Sequence, residues 1–256
     1  MRPINIQAIP GLPDIEPGDD LAGLIIEMAD RAGQALEDGD ILAIAHKVVS
    51  KAEGKLIRLS EVTPSDEALE LADRLNKDPR KVEVILRDSK RIVRAFKHEG
   101  QHEGVIIAEH RLGFICANAA VDESNVEGDD GVVVLPQDPD ASARAIRDRL
   151  FELTGARLGV VITDTFGRPW RMGIMNVAIG LAGVPALLNR VGETDAYGRV
   201  MTATVPALAD EIAAASGILM VKEAKQPVIL FKGINWTEQD SSAQEILRPQ
   251  QEDLFR

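Results

Sequence analysis

Behind Asp19, apolar residues at Leu21, Leu24, Ile25, Met28, Ala32 and Leu36 recur at three- and four-residue spacing, which predicts an amphipathic helix closed by Gly39. The stretch that follows, ILAIAHKVVSKAEG, opens with an apolar run of strand length and then turns polar, so Lys47 and Lys51 are expected where a strand gives way to a loop. Thr63-Pro64-Asp66, with Leu69, Ala72 and Leu75 behind it, reads as one helix start and Asp78-Pro79 as another. From Arg91 to Cys116 the pattern shortens to β-type runs, RIVRAFK, GVIIAEH and GFICANAAV, parted by polar or glycine-bearing turns, and GVVVLP adds a further strand. Asp138-Pro139 opens a helix that runs through Ile146, Leu150 and Leu153 to Gly155. RLGVVITDTFGRPWR then reads as a buried strand running out into a loop. A small-residue stretch, GIMNVAIGLAGV, a helix around ALADEIAAAS and a strand PVILFKG complete the pattern, and the polar residues from Thr237 to Arg256 are expected to form a tail or an arm. Helices and strands mix without a regular βαβ repeat, an internal repeat or a low-complexity linker. The expectation is one compact α+β unit spanning the chain, with a division into two lobes left open.

Composition narrows the function classes. With 45% hydrophobic residues, 256 residues can bury a real core without staples. The single cysteine, Cys116, excludes an internal disulfide, and the opening MRPINIQAIPGLP has neither the apolar core of a signal peptide nor an anchor, so a reducing cytoplasm is expected. No apolar run approaches the roughly 20 residues of a membrane span. A formal charge of −12, from 41 acidic against 29 basic residues, repels a phosphate backbone and argues against nucleic acid as the main partner. Anions must then be held by local Lys, Arg, backbone N–H groups or metal ions, and carboxylates are the natural holders of hard cations.

The sequence contains no GxxxxGK[ST], no GxGxxG after a strand, no HExxH and no CxxC. Its four histidines, His46, His98, His102 and His110, are scattered, three of them in segments that read as exposed, so a histidine-rich metal site is not expected. Two segments gather several ligand types behind an apolar run: ANAAVDESN, with Asp122, Glu123, Ser124 and Asn125, and TDTFGRPWR, with Asp164, Thr165, Arg168 and Arg171. A carboxylate beside a hydroxyl suits Mg²⁺ or Mn²⁺, and a nearby Arg pair suits phosphate oxygens, which together make a phosphoryl-transfer pattern. On chemistry alone each segment also reads as an ordinary acidic turn or an ion-paired loop. A strand ending in Asp164-Thr165 further admits a metal-dependent phosphohydrolase with Asp164 as nucleophile, although Phe166 stands where such an enzyme would carry a second Asp.

The stretches GDILAIAHKVVSKAEG, GFICANAAVDESNV, LPQDPDASARAIR, VVITDTFGRPWRMGIMNVAIG, DAYGR and ADEIAAAS, in that order and spacing, resemble the F420-0:L-glutamate ligase family over nearly the whole chain. The resemblance implies a mixed-sheet α+β fold and a homodimer. It also implies a cytoplasmic enzyme that binds GTP and two divalent ions, Mg²⁺ or Mn²⁺, with K⁺ as a further candidate, and joins L-glutamate to F420-0. Transferred by position, it makes Asp122, Asp164, Thr165 and Glu223 metal ligands, with Asp164 and Thr165 on the second ion. Leu12, Pro13, Asp14, His46, Lys47, Lys51 and Asn125 become nucleotide contacts, and Lys51 and Arg168 become the cations that stabilise charge during phosphoryl transfer. The family's Met-Gly pair near the C-terminus reads Met220-Val221 here. A protein that kept the fold and binds F420 or a nucleotide without turnover is the remaining alternative.

Overall fold

A computed structural model describes residues 3–123, 130–221 and 225–253. In chain order its elements are β1 (Asn5–Ala8), α1 (Leu21–Arg31), β2 (Ile41–Ala45), α2 (His46–Ala52), β3 (Leu56–Arg58), α3 (Asp66–Leu75), α4 (Pro79–Arg87), β4 (Ser89–Phe96), β5 (Val105–His110), β6 (Ile115–Ala117), β7 (Gly131–Val133), α5 (Pro139–Thr154), β8 (Gly159–Arg168), β9 (Arg171–Ala182), α6 (Leu208–Ser216) and β10 (Val228–Lys232).

The apolar runs of strand length build a five-stranded mixed sheet in the order β1-β10-β2-β8-β9. Its β2–β8 pair is parallel and the other three pairs are antiparallel. Alternate residues of the central strands feed two cores, as a period of two demands. Leu42, Ile44, Val160, Ile162, Val228 and Leu230 face α1 and α5 on one side. Ile41, Ala43, Val161, Ile229 and Phe231 face α6 and the C-terminal segment on the other. Burial on both faces explains why these strands read as continuous apolar runs rather than alternating ones. A three-stranded sheet, β4-β5-β6, packs under α3 and α4, and β3 pairs with β7. Among the described residues no helix is long and apolar enough to cross a membrane.

Four local expectations change. The first helix stops at Arg31 rather than Gly39, because Gly33 takes φ 68° and the N–H of Gln34 turns back to the carbonyl of Ala29 at 2.8 Å; Leu36 packs from outside the helix. HKVVSKA is helical, not a loop: His46, Val49 and Ser50 form a buried face that docks the segment on the core, and that packing outweighs the polar composition. TDTFGRPWR does not leave the sheet. From Thr163 to Arg168 it stays paired with β9, and the hairpin turns at Pro169-Trp170, where Trp170 adopts φ 58°. Finally, only His98 and His102 are exposed, while His46 and His110 are buried.

The polar C-terminal segment is an arm rather than a free tail. One carboxylate, Asp140 at the start of α5, holds it: it accepts from the N–H of Leu181 at 2.7 Å, the N–H of Ala243 at 3.1 Å and the hydroxyl of Ser242 at 2.5 Å. Ala243 is fully buried as a result.

Candidate functional site

The short helix α2 starts directly where β2 ends, so its first two residues are fixed by a central strand of the sheet. Consecutive side chains on that turn reach two of the predicted carboxylates. His46 Nε2 lies 3.3 Å from Asp164 Oδ1, both nearly buried, in an electrostatic contact that is not aligned as a hydrogen bond. Lys47 Nζ pairs with Asp122 Oδ2 at 2.8 Å. Thus ANAAVDE and TDTF, far apart in sequence, meet at one turn of helix. Asp122 is held there by a two-way backbone pairing with Val133 of β7, at 3.1 and 2.8 Å, and Asp164 by the N–H of Thr165 at 2.6 Å. Lys51 lies one turn after Lys47, on the same face of α2.

Two buried groups register the charge of Asp164. Burial, helped by the Arg111 and Lys90 charges, pulls His110 down to about 4 against the opposing pull of Asp164. Burial and the Asp164 charge push the Cys116 thiol up to about 12, so it stays protonated and unreactive. Phe166 packs edge-on against Phe114 at 6.0 Å between ring centroids, fixing this side of β8 to the strip just before β6.

Asp164 and Thr165 do not converge through their side chains. Successive residues of a strand point to opposite faces. Asp164 and Phe166 look toward α2 and β6, whereas Thr163 and Thr165 look toward α6. On the α6 side Thr165 Oγ1 donates to Asn176 Oδ1 at 2.8 Å, and Asn176 Nδ2 reaches Ser216 Oγ at 3.4 Å and Met220 Sδ at 3.3 Å.

The remaining predicted residues are spread around these. Leu12 is buried in the core facing α1, Pro13 is exposed, and Asp14 pairs with Lys225 at 3.3 Å on the surface. Arg168 closes the hairpin by donating from Nη2 to the carbonyl of Met172 at 2.7 Å, with its buried Nε lacking a partner. Asn125 and Glu223 lie outside the described residues. Asn176 and Ser216 escaped the sequence reading, and His110 entered it only as one of four scattered histidines. A lone Asn in the apolar run GIMNVAIGLA is the signal that could have found the first, once that run is read as a strand opposite β8.

Among the described residues no three His, Cys, Asp or Glu side chains form a ready metal cage. Mg²⁺ and Mn²⁺ need none: one or two carboxylates suffice when water and phosphate oxygens complete the shell. Asp122, bridged to β7, and Asp164, within β8, offer oxygen donors that fit that chemistry, and Lys47 and Lys51 lie along the same face of α2.

The family model for F420-0:Gamma-glutamyl ligase matches residues 11–233. A Methanopyrus kandleri protein named coenzyme F420:L-glutamate ligase is 48% identical, over 99% of this chain and 98% of its own length. A Methanothermobacter thermautotrophicus protein of the same name is 45% identical over 99% of both chains, and one from Methanocaldococcus jannaschii is 43% identical over 86% of both. The match runs from the segment between β1 and α1 to the end of β10, across every element that carries the α2 cluster. The chain belongs to the F420-0:gamma-glutamyl ligase family.

Proposed function

We propose that this protein is a GTP-dependent ligase of F420 biosynthesis that joins L-glutamate to F420-0 through an acyl phosphate. The observation that carries the reading is the meeting of Asp122 and Asp164 at the first turn of α2, beside Lys47 and Lys51, in a chain of this family. A carboxylate is a poor electrophile. Its oxygen attacks the γ-phosphorus of GTP, the bridging P–O bond breaks and GDP leaves; the glutamate amine then attacks the activated carbonyl carbon, and phosphate leaves as the amide forms. When bound, Mg²⁺ or Mn²⁺ supplies charge neutralisation and in-line orientation of the phosphates.

Within that sequence this chain's residues have separable tasks. Asp122 and Asp164, which both face α2, would hold one cation, and Thr165, on the opposite face of β8, would serve a second. Lys47, paired to Asp122, would turn to phosphate if that carboxylate held a cation. Lys51 and Arg168 stabilise charge that develops on the transferring group. His46 braces Asp164 from the buried side. Phe114 and Phe166 wall off the region behind Asp164 from water.

A homodimer belongs to the same reading. The β8–β9 hairpin and the segment after it carry Trp170, Met172, Ile174, Tyr197 and Val200, all large and exposed by 61–95%. An apolar surface of this kind on a single chain marks an interaction face. The deciding experiment incubates the protein with GTP, F420-0, labelled glutamate and Mn²⁺ and reads products by mass spectrometry. Addition of glutamyl units with equimolar GDP is expected. Phosphate release without glutamyl transfer identifies a phosphohydrolase, and binding without either product identifies a non-catalytic binder; each overturns the proposal.

A further inference from the structure

We propose that Asn176 is a positioning residue that accepts the hydrogen bond of the Thr165 hydroxyl and so presents Thr165 Oγ1 outward as a pure acceptor, a form suited to a divalent cation and unsuited to a phosphate oxygen. The inference rests on the proposed ligase reading, in which Thr165 serves a second ion, and adds the device that sets the state of that hydroxyl.

The argument is one of hydrogen-bond direction. Thr165 and Asn176 are directly opposed in the β8–β9 pairing, so their side chains share a face of the ribbon. A hydroxyl has one proton and two lone pairs, and either end can meet a ligand unless something fixes it. Here the chain of donors begins at α6. Ser216, fully buried in the last turn of that helix, donates its only proton to the carbonyl of Ala213 at 2.6 Å. Its oxygen can then only accept, so the Asn176 group at 3.4 Å from it must be the NH₂. The same NH₂ faces the sulfur of Met220 at 3.3 Å, again an acceptor. With Nδ2 assigned to α6, Oδ1 is left for Thr165 at 2.8 Å, and it accepts the Thr165 hydroxyl's hydrogen bond. Thr165 is exposed, and what it offers outward is lone pairs alone.

The amide is also held by shape. Asn176 is 7% exposed in a strand whose other inner residues are apolar. A Cβ on Gly217 would lie 3.3 Å from Asn176 Cγ and 3.5 Å from Nδ2. Gly217 has φ −59°, an ordinary helical value that any residue adopts, so its missing side chain answers to crowding by the amide and by the Ala214 carbonyl, also 3.3 Å away, and not to backbone freedom. A buried amide with both ends directed and a glycine opposite it is more than a filler of core volume: an aliphatic residue would fill the same space with no polar group to satisfy. The direction of the chain also decides between ligands. A phosphate oxygen approaching Thr165 would need a hydroxyl proton that is already donated to Asn176 Oδ1, whereas a cation needs only the lone pairs.

The test reads metal directly. Mn²⁺ binding to the full chain is titrated by the loss of the free-ion EPR signal, with and without a non-hydrolysable GTP analogue, for wild type, Thr165→Val, Asn176→Ala and the double variant. Outer partners of metal ligands typically change metal affinity about 10- to 100-fold. Thr165→Val and Asn176→Ala are each expected to weaken one class of Mn²⁺ site by about that factor, and the double variant to be no weaker than Thr165→Val alone. Ser216→Ala, which breaks the far end of the chain while leaving Asn176 in place, should shift the same site in the same direction and guards against misfolding of Asn176→Ala. Unaltered Mn²⁺ affinity in Asn176→Ala and Ser216→Ala, with Thr165→Val weakened, overturns the positioning role and leaves the ligase reading standing. Losses that add in full in the double variant overturn it as well. Unaltered affinity in Thr165→Val removes Thr165 from the metal site and with it the second-ion part of the ligase reading.

Discussion

Acidification should weaken this fold through one residue, His110. The imidazole closes β5 with no solvent exposure; its Nδ1 accepts from the N–H of Leu112 at 3.0 Å and its Nε2 is buried without a partner. A second proton would have to sit on Nδ1, against the Leu112 N–H, in a site that excludes water. The charges around it mostly agree: Arg111 and Lys90 disfavour the imidazolium and Asp164 favours it, and burial outweighs all three. The folded value of about 4 lies below the ordinary 6.5, so between these limits the unfolded chain binds more protons than the native one. Stability from this site is therefore complete above pH 6.5 and declines as pH falls toward 4, at about 1.4 kcal/mol per unit, or roughly 3 kcal/mol in all. Against a typical stability of about 5–15 kcal/mol this is a large share. Urea unfolding of wild type and His110→Asn at several pH values between 7.5 and 4 isolates the effect, because Asn keeps an acceptor for Leu112 without a titrating ring and other carboxylates cancel in the difference. The gap between the two proteins should close, or reverse, by roughly 3 kcal/mol over that range. Curves that stay parallel would refute the reasoning and mean that protonated His110 is tolerated.

Asp122→Asn and Asp164→Asn should each lower ligase turnover by orders of magnitude, with partial recovery at raised Mn²⁺ and little change in the unfolding midpoint in chelator; normal turnover of both at low metal would discard the two-carboxylate site. Gly180→Ala should destabilise by about 1–3 kcal/mol, since its Cβ would lie 2.4 Å from the carbonyl oxygen of Pro139, where α5 rests on β9; an unchanged melting temperature would show that α5 can retreat. Met172→Asp should convert a particle of about twice 27.7 kDa in light scattering into a monomer, and a variant that stays dimeric places the interface elsewhere.

How much of this was legible beforehand depended on the range of the interaction involved. Helix starts at Asp78-Pro79 and Asp138-Pro139 were legible because a cap and its helix are neighbours in sequence, and both Asp side chains accept from backbone N–H groups two or three residues on. The strands ILAIA and PVILF were legible because burial on both faces leaves an unbroken apolar run. The α2 helix was not, since its polar residues reflect partners elsewhere: Lys47 answers to Asp122 and His46 to Asp164. The continuation of β8 past Thr163 was hidden for the same reason. DTFGR carries no strand signature of its own and is ordered by β9, including the stretch that reads only as small residues.

The same contrast explains what the sequence could say about the site. Asp122, Asp164 and Thr165 stand out because their residue types carry the chemistry, yet the list alone treats Asp164 and Thr165 as one adjacent pair. Strand alternation separates them. Asp164 is turned to a side walled by Phe114 and Phe166 and braced by His46, and Thr165 to a side governed by Asn176 and Ser216. A residue that directs a neighbouring hydroxyl need not resemble a ligand, and Asn176 is invisible until its opposite number on β8 is known. One hairpin thus presents a carboxylate on one face and a hydroxyl on the other, each fixed by a different layer of the fold, α2 behind the first and α6 behind the second. Each face therefore has its own support, so a change in the layer behind one leaves the geometry of the other in place.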